Sequence, residues 1–128
     1  MLSEFVKTAD WKSEKHVPVI TCADAASANA PFEVAVTVGQ AVPHPNTPNH
    51  HIAWVALHFV PAGTKTSIEL ARCEFSAHGA SMDDAGGVAH TDSALKVTLR
   101  LATAGTLYAT AYCNLHGLWA SEKTVAVG

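Results

Sequence analysis

The chain has 128 residues, 48% hydrophobic and 15% charged, with a net charge of -3 at pH 7, which reads as one domain burying roughly two-thirds of its unfolded surface. The slight negative balance and the lack of like-charge runs exclude a nucleic-acid footprint and a disordered tail. No stretch approaches the ~18 apolar residues of a membrane span, and Met1-Leu2-Ser3-Glu4-Phe5-Val6-Lys7 carries an early acid and no apolar leader core, so a soluble cytoplasmic protein is expected.

In chain order, residues 1–13 read as an N-terminal extension packed on a single domain, 1–128, with a short helical piece expected over Leu2 to Thr8. Val17 to Cys22 reads as a strand. The alanine-rich Ala23 to Ala30 predicts a second short helix with Asp24 as its cap. From Phe32 to Val38 the pattern alternates, with Phe32, Val34, Val36 and Val38 on one face and Glu33 and Thr37 on the other. Residues 51–60, 68–75 and 106–112 are strand-like through β-branched and aromatic content. Leu95 to Leu101 is apolar at every odd position, and Thr124 to Val127 supplies a seventh strand. Turn signals at Pro61-Ala62-Gly63, Gly86-Gly87 and Ala104-Gly105 separate them. The fold class predicted is all-β, a seven-stranded sandwich with short helical turns.

Three cysteines, Cys22, Cys73 and Cys113, cannot all pair within one chain, which suits a reducing compartment, and no C-x-x-C occurs. Cys22 and Cys73 read as buried small hydrophobes. Cys113 stands apart, because Cys113-Asn114-Leu115-His116-Gly117-Leu118-Trp119 follows a strand and sets a thiolate three residues from an imidazole.

Upstream lie Glu14-Lys15-His16-Val17-Pro18 and His44-Pro45-Asn46-Thr47-Pro48-Asn49-His50-His51-Ile52. His16, His44, His50, His116 and Cys113 all fall beside strands, in loops that a rigid sandwich would carry. Four imidazoles and one thiolate exceed the tetrahedral shell of structural zinc and point to a redox metal with an open position. Pro45 and Pro48 stiffen the loop that spaces His44 from His50. Adjacent His50 and His51 face opposite ways on entering a strand, so only one ligates; the plainer reading of His51 is a strand residue packed on the face of Ala53, Val55, Leu57 and Phe59. His58, His78 and His90 lie outside these motifs and read as solvated histidines, and Trp119, near His116, as a shield for the site.

These three motifs, in this order, resemble the superoxide reductases of the one-iron, neelaredoxin type, over the chain from about Glu14 onward. The family spacing selects His50 over His51. The resemblance implies an immunoglobulin-like sandwich with His16, His44, His50 and His116 around one iron ion (Fe2+/Fe3+) and Cys113 as axial ligand. It implies reduction of superoxide to hydrogen peroxide, with rubredoxin or a similar donor returning the electron. By the same resemblance Glu14 takes the sixth position of the resting ferric iron, Lys15 draws in the anion, and the chain forms a homotetramer. The two-iron relatives carry a further domain with four cysteine ligands, for which no residues are present.

Three other readings compete. A cupredoxin-like electron-transfer protein would use a similar Cys-x-x-His loop, but wants two histidines and a weak axial ligand, often methionine; only Met1 and Met82 exist and neither follows His116. A metal-free immunoglobulin-like module would explain the strands and leave the motifs as coincidence. A superoxide dismutase would evolve oxygen and need no donor.

Overall fold

The computed structural model describes residues 1–79 and 87–128. A 3-10 turn, Leu2–Glu4, precedes nine strands: β1 Val6–Lys7, β2 Pro18–Thr21, β3 Ala25–Ala26, β4 Phe32–Val38, β5 Ile52–Pro61, β6 Ile68–Glu74, β7 Ala94–Leu99, β8 Gly105–Cys113 and β9 Gly117–Val127. The seven longer strands fall on the seven stretches that the sequence predicts. One sheet runs β1-β9-β8-β5-β6 with β3 also on β9, and the other runs β2-β4-β7. Of the sequence-based signals, Gly86 and Met82 lie outside the described residues.

The inward faces follow the period of two. Val34 and Val36 on β4, Leu107, Ala109 and Ala111 on β8, and Val55 and Leu57 on β5 are buried and join Leu95 and Leu99 in one core between the sheets. Cys113 is the last residue of the inward row on β8 and is fully buried. Strand parity therefore aims its sulfur into the end of the core.

Both expected helices are corrected. Leu2 to Thr8 makes only the 3-10 turn before Val6 and Lys7 pair in parallel with Leu118 and Trp119 of β9; a single turn with no buried residue cannot offset the cost of helix nucleation. Ala23 to Ala30 is not helical, because its backbone groups bond to the chain's end: Ala126 N–H to Asp24 C=O, Gly128 N–H to Ala26 C=O, and Ala28 N–H to Gly128 C=O. Asn29 adopts a left-handed φ of 57°, Pro31 follows, and the Asp24 carboxylate pairs with Lys123 Nζ at 3.0 Å in place of capping. The last strand starts at Gly117, seven residues before the expected Thr124. Cys22 and Cys73 are half-buried against the core. Among the described residues no helix is long and apolar enough to cross a membrane.

His51 also departs from expectation. A register shift between Ile52 and Trp54 breaks the parity it was assumed to share. Its ring lies before β5 and stacks on His78 at 3.6 Å between centroids and 7° between planes. His78 is thus half-buried, bonded through Nδ1–H to Asn46 Oδ1 at 2.9 Å; burial first, then the nearby His51, lowers its pKa. His58 is partly covered, with Nε2 3.4 Å from Glu69, and His90 is exposed as expected.

Candidate metal centre

One end of the sandwich gathers the start of β2, the loop from β4 to β5, the end of β8 and the turn into β9. Cys113 pairs with Gly117 across the β8–β9 hairpin, so Asn114-Leu115-His116 is a three-residue turn. Gly117 closes it at φ +81°, the left-handed residue such a turn requires. At the end of β4, Gly39 adopts φ +83°, and a Cβ there would come 2.8 Å from the His44 nitrogen. Only glycine lets the chain fold back closely enough to deliver His44.

The 44–51 loop is held from both sides. Thr47 and His50 exchange backbone bonds, with Thr47 N–H to His50 C=O at 2.9 Å and His50 N–H to Thr47 C=O at 3.2 Å. Asn114, inside the Cys-x-x-His turn, accepts from His51 N–H at 2.9 Å and donates to Asn49 C=O at 2.9 Å. The two ligand-bearing segments are therefore latched by a side chain that motif spacing alone does not single out; its place between Cys113 and His116 is the one signal for it.

Four imidazoles stand at the corners of a ring. Centroid separations along its sides are 4.8 Å (His16–His44), 4.7 Å (His44–His50), 5.0 Å (His50–His116) and 4.9 Å (His116–His16). The His16–His50 diagonal is 6.4 Å, longer than any side. Donor atoms of His16, His50, Cys113 and His116 all lie within 4.8 Å of one another. His44, outside that tighter set of four, fills the remaining corner. All five predicted metal-ligand side chains other than Glu14 thus meet at one point of the fold.

Their tautomers prepare them for an ion. His44 Nδ1–H donates to Pro45 C=O at 2.7 Å, leaving a lone pair on Nε2. His16 Nδ1–H donates to the Glu14 carboxylate at 2.9 and 3.2 Å, and its backbone N–H also donates to Glu14, so its lone pair too lies on Nε2. His16 Nε2 lies 3.2 Å from His116 Nδ1, which lies 3.7 Å from Cys113 Sγ. Two nitrogens sharing one ion at right angles sit about 3 Å apart. The Nε2 atoms of His44 and His50 are buried with no hydrogen-bond partner, a costly state for a polar atom unless an ion takes its lone pair. The residues present fit a metal.

Electrostatics agree. Burial is the main cause that lowers the pKa of His44 to about 4 and lowers those of His16 and His50; for His16 the Glu14 carboxylate opposes it. The Lys15 charge adds to the lowering at all three. Lys15 and His44 also line a cleft of about 630 Å³. Glu14, expected as a sixth ligand, stands here on the Nδ1 edge of His16, away from the ring's centre. Trp119, expected near His116, lies flat on His16 at 4.8 Å and 12°.

Residues 8–122 match the family model described as desulfoferrodoxin. The chain belongs to the desulfoferrodoxin family. Among its relatives, a neelaredoxin from Megalodesulfovibrio gigas is 44% identical over 127 residues, 98% of each chain. A superoxide reductase from Pyrococcus furiosus is 40% identical over 126 residues, 98% of this chain and 99% of that one. The structure of a superoxide reductase (neelaredoxin) from Archaeoglobus fulgidus in the reduced form aligns with a TM-score of 0.83 at 46% identity, covering 95% of this chain and 98% of that chain. Membership disfavours the cupredoxin reading on grounds the site repeats: four imidazoles converge where blue copper takes two, and Met1 is 89% exposed.

Proposed function

We propose that this protein is a superoxide reductase of the one-iron type. The observation that carries the reading is the convergence of four imidazoles with the buried Cys113 sulfur, two of the imidazole nitrogens being buried without a partner. His16, His44, His50, His116 and Cys113 would hold an iron ion, which when bound would supply the one electron that, with two protons, converts superoxide into hydrogen peroxide.

The chain's own residues do the rest. Glu14 fixes the His16 ring through Nδ1–H and so keeps Nε2 aimed inward. Iron held by these residues would leave room for a small anion, and Glu14 is the residue that would bind the metal in the oxidised, resting state. Lys15 attracts superoxide along the cleft it lines with His44, and a local positive field of this kind raises on-rates by about 10 to 10³ and weakens with salt. Rubredoxin or a similar small donor returns the electron in the cytoplasm through a transient contact of under about 1,200 Å². The working unit is a homotetramer of single-domain chains, with residues 1–13 fastened to the sheet through β1.

The test is rapid mixing of the iron-loaded, reduced protein with superoxide. One peroxide per oxidised site and no oxygen is the expected result; oxygen evolution without a donor would make the protein a dismutase. Lys15→Ala should slow the bimolecular step about tenfold or more and flatten its dependence on ionic strength, and an unchanged rate would remove the steering role.

A further inference from the structure

We propose that Trp119 is a positioning residue for His16, seated on it by the N-terminal strand β1. The proposal rests on the ligand set given above. Glu14 holds the His16 ring by one edge, within the ring's plane. A bond at a ring edge leaves the ring free to rock about its own axis, and a ligand that rocks misdirects its lone pair. The Trp119 indole removes that freedom, because it lies 4.8 Å from the imidazole and only 12° from parallel, an arrangement that stacked aromatic faces favour.

The indole is itself held by two contacts. Its Nε1–H donates to His116 C=O at 3.3 Å, within the turn that carries a second predicted ligand. Lys7 Nζ stands over the indole at 5.6 Å, within cation–π reach. Strand β1 pairs with β9 in the register Val6 to Leu118 and Lys7 to Trp119, so the backbone sets Lys7 beside this indole. Across the hairpin Trp119 is opposite Ala111, whose methyl group leaves room on that face. One side chain thus ties the segment bearing His16 to the turn bearing His116, two ligands 100 positions apart in the chain.

The test measures Co2+ binding, by competition against a chelator, to the metal-stripped full-length chain and to Trp119→Phe, Trp119→Leu, His16→Ala and the His16→Ala/Trp119→Leu double variant. The ligand-field spectrum of each Co2+ form is recorded, and far-ultraviolet circular dichroism checks folding. Trp119→Leu should bind Co2+ about 10- to 100-fold more weakly with shifted ligand-field bands. Trp119→Phe, which keeps an aromatic face, should retain near wild-type affinity and bands. In the His16→Ala background the leucine substitution should change affinity less than about twofold, because the ring it acts through is gone. Equal losses in both backgrounds, unchanged binding by Trp119→Leu, or a phenylalanine variant as weak as leucine would each overturn the proposal. Wild-type protein that takes up Co2+ without a thiolate charge-transfer band would instead refute the ligand set on which it rests.

Discussion

Removing metal with a chelator and lowering the pH from 7 to 5 should destabilise the fold by about 2 kcal/mol through His44 alone. Burial, the largest cause, holds the His44 imidazole down to about 4 from an ordinary value of 6.5; the Pro45 carbonyl opposes the effect, and the charges of His16, His50 and Lys15 add to it. As pH falls through 6.5 the unfolded chain takes up a proton at this position, whereas the folded chain does not until about pH 4. The unfolded state therefore binds more protons across that window. Stability is full above 6.5, drains as pH falls, and levels off below about 4.

Each pH unit within the window is worth about 1.4 kcal/mol, so the 1.5 units between 6.5 and 5 remove about 2 kcal/mol. His16, His50 and His78 are also lowered by burial, so the total loss in the wild type is larger, and the share of His44 is isolated by comparison with His44→Gln. Urea denaturation of both proteins at pH 7, 6 and 5, in the presence of chelator, gives the free energies. The wild-type curve should fall more steeply than that of the variant by about 2 kcal/mol. Parallel curves would show that the His44 ring accepts its proton in the folded state as readily as in the unfolded one, and the account of a buried lone pair waiting for an ion would fail.

Asn114→Ala removes the bonds to His51 N–H and Asn49 C=O; a loss of about 1–3 kcal/mol is expected in urea denaturation of the metal-free protein, and a smaller loss would mean that Asn114 does not latch the loop. Gly39→Ala forces a side chain onto φ +83° and against the His44 nitrogen. It should lower stability by about 1–3 kcal/mol and weaken Co2+ uptake by displacing His44, whereas Gly63→Ala, also at positive φ but with open space around it, should leave Co2+ uptake unchanged.

How much of this was legible in the sequence depends on the distance over which each signal acts. Phe32–Val38 and Leu95–Leu101 announce themselves through alternation, because a half-buried strand writes its own pattern locally. The proposed ligands His16, His44, His50, Cys113 and His116 were readable because motif spacing is local too, and the fold had only to bring three loops to one end. The two expected helices failed for the opposite reason. The stretches 2–8 and 23–30 take their conformation from the edge of β9, a partner about a hundred residues away, which no local propensity encodes. His78 against His51, and Trp119 on His16, were invisible on the same ground: each contact is set by packing between segments, and in the first case also by a register shift at the start of β5 that parity counting cannot foresee.

Among the described residues the site is the one place where buried side-chain polar atoms lack a partner, and the break is informative because the groups around it are bonded. Asn114, Thr47, Pro45 and Glu14 each complete a hydrogen bond that fixes a ligand or its loop. What these bonds leave over are the Nε2 atoms of His44 and His50, buried without a partner. A fold that spends rigid elements on holding acceptors together without donors is less stable empty than filled, and binding of an ion then adds directly to folding free energy. Metal affinity, acid stability and the orientation of His16 are therefore coupled quantities, and a substitution at Asn114 or Trp119 should move the first of these even though neither is a proposed ligand.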